Sequence, residues 1–127
     1  QARTRDRGLI YCNLIDFDML YGHRRDVKGF GLALEEFDEV LFRFFKEMKK
    51  DDLLIISADH GNDPTARGSD HTREYIPVLA GLGSARKPAI SLGELKSFAD
   101  LGATVCDFFD VKPSSAVGRS FLQTLKG

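Results

Sequence analysis

Apolar and polar positions divide this chain into a few distinct segments. Leu9 to Leu14 is a short apolar run of β-leaning residues that enters the polar stretch Asp16-Phe17-Asp18, and it predicts a buried strand. Tyr21 to Val27 is polar, glycine-bearing and aperiodic, which predicts a loop. Phe30, Leu34, Phe37, Leu41, Phe45 and Met48 then recur at spacings of three and four, with Glu35, Glu36, Glu39, Lys46 and Lys50 mostly between them. That spacing predicts an amphipathic helix from about Val27 to Met48 whose apolar stripe belongs to the core. Acidic residues early in it, with Lys46, Lys49 and Lys50 near its end, suit the helix dipole.

Beyond Asp51-Asp52 the pattern changes. Leu53 to Ile56 is continuously apolar, as expected of a central strand covered on both faces. A loop follows from Asp59 to about Arg73, and Ile76 to Ala80 predicts a further strand with Pro77 at its beginning or on an irregular edge. Gly81 to Ile90 reads as loop, Glu94 to Phe108 as a second helix starting near Ser91, and Val111 to Val117 as a turn. Phe121 and Leu122 predict a short closing strand or a docked tail. Two apolar strands separated by a long amphipathic helix imply an α/β fold, a parallel layered sheet flanked by helices.

Composition narrows the class without naming a function. The 127 residues suffice for one domain, and a 43% apolar, 29% charged composition is that of an ordinary globular protein. A formal net charge of −1 gives no electrostatic footprint for nucleic acid or membrane, and no apolar run reaches bilayer-spanning length. Cys12 and Cys106 lie in apolar sequence and read as two buried free thiols, which points to a reducing, cytoplasmic setting. The opening Gln1 and the charged run Arg3 to Arg7 read as the start of a piece cut from an exposed loop of something longer.

The chemistry collects in the loops. In parallel α/β sheets, ligands bind beyond the carboxyl ends of strands. Asp16 and Asp18 follow the first predicted strand, and Asp59 and His60 follow the second, so both sets would reach one rim. All three histidines, His23, His60 and His71, stand in loops near an acidic residue. Asp18, His23, Asp59, His60 and His71 are therefore the candidate metal ligands. Mixed oxygen and imidazole donors favour Mn²⁺, Zn²⁺ or Fe over Ca²⁺, and the lack of nearby cysteine argues against a structural zinc knuckle. Five ligands exceed one tetrahedral catalytic site yet fall short of two full ones, which implies a shared or incomplete two-metal centre. Arg24, Arg25 and Arg73 stand close in sequence to these ligands and are candidates for binding a phosphate; each also has an acidic neighbour, Asp26 or Glu74. Asp16 reads as a turn cap or orienting group, Asp63 before Pro64 as turn structure, and Phe17 and Tyr21 as packing.

The strings Asn13 to Asp26, Ser57 to Thr65 and Asp70 to Pro77 resemble the phosphopentomutase family of the alkaline phosphatase superfamily. Phe98 to Thr104 and Gly118 to Leu122 resemble it too, so the likeness runs from about Leu9 to Leu122. It implies an alkaline-phosphatase-like layered sheet, two Mn²⁺ ions (Zn²⁺ or another divalent metal being the alternative), and interconversion of (deoxy)ribose 1-phosphate and (deoxy)ribose 5-phosphate through a phosphothreonine. By position it assigns Asp18, His23 and His71 to one metal, Asp59 and His60 to the other.

The threonine nucleophile, its acidic neighbours and the cap domain of that family would lie upstream of Gln1, and Thr65, Thr72 and Thr104 do not match the nucleophile. Thr65 to Ser69 also departs from the Trp-Pro-Gly-Thr pattern associated with this loop. Residues 1–127 thus read as the C-terminal segment of a metal-dependent phosphomutase core, inactive alone and expected to partner the remainder of that core and a pentose phosphate. A metal-dependent phosphatase or phosphoglycerate mutase of the same superfamily is the alternative enzyme, and a truncated metal-binding or interaction domain is the non-catalytic one.

Overall fold

The computed structural model describes residues 7–83, 89–114 and 117–127. Most of the opening charged run, the middle of the Gly81–Ile90 loop, and Ser115 with Ala116 of the expected turn lie outside the described residues. Two compact units emerge: residues up to Glu39 with His60–Tyr75, and Val40–Asp59 with the residues from Ile76 onward. Among the described residues, five regular elements follow in chain order. They are α1 (Val27–Glu47), β1 (Leu53–Ser57), β2 (Val78–Leu82), α2 (Ala99–Phe108) and α3 (Leu122–Lys126), preceded by a π-helical segment, Phe17–Gly22.

In the first unit the expected strand at Leu9–Leu14 is not formed; Leu9, Ile10 and Tyr11 are 69%, 55% and 84% exposed. A strand exists only by pairing its backbone, and an apolar run records the tendency without supplying the partner. Cys12 is accordingly exposed rather than buried. The expected loop before α1 is instead tightly wound. His23 N–H donates to Asp18 O and Asp26 N–H to Tyr21 O, both at 2.9 Å, the wide bonding of a π-turn. Phe17 faces outward from this turn onto α1, edge-on to Phe30 and Phe37 with ring centroids 5.3 and 6.4 Å away. Phe17 therefore packs against the α1 stripe, as its reading as a packing residue implied.

α1 fits its sequence pattern to within a residue. The Asp26 carboxylate accepts the Gly29 N–H at 2.8 Å and so satisfies one of the free donors of the first turn. No residue of α1 is buried, however: Phe30, Phe37 and Leu41 are half-buried, and Leu34 and Phe45 are each 49% exposed. The stripe expected to be core is thus only partly covered, because amphipathic spacing announces an apposed layer without providing one.

The second unit holds the sheet. β1 and β2 pair antiparallel, from Leu53 opposite Leu82 to Ser57 opposite Val78. Among the described residues this two-stranded ribbon is the only sheet, so the fold is mixed helix and strand, and the parallel pair expected between Leu9–Leu14 and β1 is absent. Leu53 to Ile56 are half-buried rather than covered on both faces. Pro77, lacking an N–H, stands immediately before β2, where its missing donor breaks no ladder bond.

α2 begins later than expected, at Ala99, and its inner side carries a polar anchor rather than an apolar one. Thr104, fully buried, donates to Asp100 O at 2.7 Å and accepts the Phe121 N–H at 3.1 Å. Phe121 and Leu122, 6% and 1% exposed, are the buried apolar residues of the described chain. The expected docked tail is therefore real and helical: α3 packs on α2 and β2.

Asp100 holds the tail through its carboxylate, which accepts the N–H of Arg119 at 2.7 Å and of Lys96 at 3.1 Å. The Arg119 N–H is the main reason its carboxyl lies below the ordinary range. Burial acts the other way and is outweighed with the help of the Lys96 and Ser97 N–H groups and the Arg119 charge. A depressed folded-state pKa gives stability that is complete above the unfolded value and lost as pH falls through the folded one. Asp100→Asn is thus expected to lower the urea midpoint near neutral pH, with the gap to the parent closing as pH falls below about 4. A gap that stays constant across that range would remove the charge from the explanation.

Candidate metal centre

The π-turn and the loop 60–75 place four of the five candidate ligands, Asp18, His23, His60 and His71, within the first unit. The π-turn directs Asp18 and the following His23 to one side, since its wider winding brings residues five apart into register. The loop is closed at its base by an antiparallel bridge between Gly61 and Thr72, with Thr72 N–H donating to Gly61 O at 3.2 Å. This bridge sets His60 and His71, the neighbours of its two residues, side by side. Their rings stack with centroids 3.7 Å apart.

Asp18 is the acidic member of the group. Its two oxygens face different imidazoles, Oδ2 lying 3.4 Å from His23 Nε2 and Oδ1 3.4 Å from His71 Nε2. The two Nε2 atoms are themselves 3.2 Å apart. One ligand atom from each of Asp18, His60 and His71 falls within 4.8 Å of the others, close enough to hold one metal ion. The His23 Nδ1 faces Ser69 O at 2.5 Å, and the His60 Nδ1 faces Gly61 O at 3.2 Å. A carbonyl oxygen only accepts, so in the neutral rings Nδ1 carries the proton and Nε2 keeps its lone pair. Both rings are thereby presented in the tautomer a metal takes, oriented by an outer hydrogen bond.

Partial burial raises the Asp18 carboxyl pKa, but the Asn62 amide and the His23, His71 and His60 imidazoles outweigh it. The group lies below the ordinary carboxylate range. Anionic oxygen beside convergent imidazole nitrogens is the donor chemistry of a divalent transition metal.

Of the five residues singled out from sequence, Asp18, His23, His60 and His71 come together in this unit. Asp59 belongs to the other unit, exposed and two residues beyond the end of β1. Asp16 is exposed and lies outside the group; it stands at the N-cap position of the π-turn, but its side chain makes no capping hydrogen bond, so the reading as a cap does not hold. Asp63 is turn structure: Thr65 donates both its N–H and its hydroxyl to Oδ1 at 2.7 Å, and these bonds hold the carboxyl below its usual range.

The arginines divide. Arg24 and Arg73 are exposed, and their guanidinium groups make no hydrogen bond or ion pair with the described residues. The Arg25 guanidinium is engaged by Asn62, Asp63, Gly68 and Asp70. Asn62 is the residue that sequence reasoning passed over. Its Nδ2 donates to Asp18 Oδ1 at 2.6 Å, a contact across 44 positions that nothing local in the sequence signals.

Comparison with known proteins bears on this arrangement. A model of the metalloenzyme superfamily matches residues 1–113. The chain belongs to the metalloenzyme superfamily. Metal use goes with that superfamily, and the Asp18, His60 and His71 group is where this chain could hold an ion. Among curated proteins, it is 57% identical over 107 residues to a phosphopentomutase of Clostridioides difficile (strain 630), covering 84% of this chain and 27% of that protein. It is 50% identical over 122 residues to the phosphopentomutase of Symbiobacterium thermophilum, covering 96% and 30%. A third, from Limosilactobacillus reuteri (strain DSM 20016), is 52% identical over 118 residues, covering 93% and 29%. The chain thus spans less than a third of the length of these relatives. Among the described residues, no helix is long and apolar enough to cross a membrane.

Proposed function

We propose that the protein carrying this chain is a pentose phosphomutase, interconverting (deoxy)ribose 1-phosphate and (deoxy)ribose 5-phosphate through a phosphothreonine and two divalent ions. The observation that carries this reading is the convergence of Asp18, His23, His60 and His71 in a chain 50–57% identical to phosphopentomutases. Asp18, His23 and His71 would hold one metal, and Asp59 and His60 the other, with Mn²⁺ the ion preferred. Ligands of two ions about 4 Å apart lie close to one another, so the nearness of His60 to His71 is compatible with that division. Such a metal pair neutralises charge developing on a transferring phosphoryl group. Arg24 and Arg73, with exposed guanidinium groups, are the side chains suited to bind the substrate phosphate.

In this reading residues 1–127 are the C-terminal segment of an alkaline-phosphatase-like core acting in the cytoplasm. The threonine nucleophile and cap come from elsewhere in the protein, and the segment alone does not turn over substrate. The half-buried faces of β1 and the exposed apolar run at Leu9–Tyr11 suit a layered sheet completed by further strands.

The test is an assay of the full-length protein with ribose 1-phosphate and Mn²⁺. Ribose 5-phosphate as the product is expected, with little free ribose. Free ribose and inorganic phosphate would instead assign a phosphatase on the same scaffold. No turnover, with metal still bound, would leave a metal-binding domain and remove the mutase.

A further inference from the structure

Arg25 is a non-glycine residue in the left-handed region, with φ 56°. Such a backbone persists where its surroundings over-determine it. Its guanidinium accounts for that: Nη1 donates to Asn62 Oδ1 and to Asp63 O, both at 2.7 Å, Nε donates to Gly68 O, and Nη2 to Asp70 O. These four acceptors are spread along the segment that joins His60 to His71. Four of the five guanidinium N–H groups are used, so the fork has no bidentate face left for a phosphate.

The bond to Asn62 matters most. An amide whose oxygen is taken by Arg25 must turn its Nδ2 the other way, and that atom reaches Asp18 Oδ1 at 2.6 Å. Gly22 leaves the space for it, since a Cβ there would stand 2.5 Å from Asn62 Nδ2.

We propose that Arg25 and Asn62 form a positioning relay. Arg25 fixes the Asn62 amide so that it aims the Asp18 carboxylate at His23 and His71, and its other donors shape the loop that delivers His71. This rests on the metal-centre reading above and gives it an outer layer that the ligand set alone does not contain. Lysine cannot replace the arginine here, because an ammonium is a point donor and lacks the planar fork that meets four acceptors at once.

The test uses the full-length protein, titrated calorimetrically with Mn²⁺ and with Zn²⁺. Arg25→Lys and Asn62→Leu are each expected to weaken binding about 10- to 100-fold, as loss of an outer hydrogen-bond partner does. The double variant is expected to be no weaker than the worse single one, because both act through one amide. At saturating Co²⁺, the visible spectrum of Asn62→Leu is expected to shift, since the carboxylate is no longer held; a merely structural residue would leave the spectrum unchanged. Should Arg25→Lys fail to fold by circular dichroism, the Asn62→Leu arm decides. Parental affinity and spectrum in Asn62→Leu would overturn the relay alone, even with a lowered melting temperature. A parent protein that binds neither ion would overturn the metal-centre reading and the relay with it.

Discussion

Asp18→Ala is expected to weaken Mn²⁺ and Zn²⁺ binding by more than roughly 100-fold, beyond what loss of an outer partner costs, with the fold retained. Asp18 supplies the carboxylate of the described cluster, and its two oxygens each face an imidazole nitrogen at 3.4 Å. Removing it leaves His23 and His71, whose Nε2 atoms stand 3.2 Å apart, without an anion between them. Neutral imidazoles bind a divalent ion through lone pairs alone, whereas a carboxylate adds a full negative charge at the same distance. Stability should change little, because the Asp18 side chain is only partly buried. Isothermal titration with both ions, beside circular dichroism, measures the two effects separately. Parental affinity in a folded Asp18→Ala protein would sink the site. Asp18→Asn is a sharper comparison, since it keeps the shape and removes the charge, and a large loss there assigns the effect to electrostatics.

What the sequence revealed here, and what it did not, follows from the range over which each signal acts. α1 was legible almost to the residue because Phe30, Phe37 and Leu41 repeat at the helical period, and that information is local. β1 was legible as an apolar run bounded by turn residues, and β2 only with its bounds displaced by two residues, since Gly81 and Leu82, read as loop, belong to it. Their antiparallel pairing was not legible, because nothing inside Leu53–Ser57 specifies a partner. The same limit explains Leu9–Leu14, which has strand composition and no strand. Asp18, His23, His60 and His71 could be gathered in advance because carboxylate and imidazole in loops are rare enough to be informative together. Their supports could not. The carbonyl of Ser69 that sets the His23 tautomer and the amide of Asn62 are ordinary polar groups, distinguished only by where the chain folds back. Arg25 shows the point most directly: beside Arg24 in sequence it looks like one of a pair, yet one guanidinium holds a loop together and the other is exposed.

Gly61→Ala is expected to disturb both the loop and the metal centre, because Gly61 bridges the chain leaving His60 to the chain that follows His71. A Cβ at this position would stand 2.8 Å from Thr72 O and from Glu74 N, and 2.5 Å from Glu74 Oε2. The carboxylate can swing away; the two backbone atoms cannot move without parting the Gly61–Thr72 bridge. Thr72 is further tied on both sides, accepting the Asp63 N–H at 2.6 Å and donating to Glu74 Oε2 at 2.5 Å. The cost is that of overpacking a tight contact, about 1–3 kcal/mol, and it should appear as a lower urea midpoint. Parting the bridge also separates His60 from His71, whose ring stacking depends on it, so metal affinity should fall together with stability. This distinguishes Gly61→Ala from Asp18→Ala, where affinity falls and stability holds. A Gly61→Ala protein with parental stability would show that the two backbone segments can move apart freely. His60 and His71 would then be brought together by something other than the bridge at Gly61.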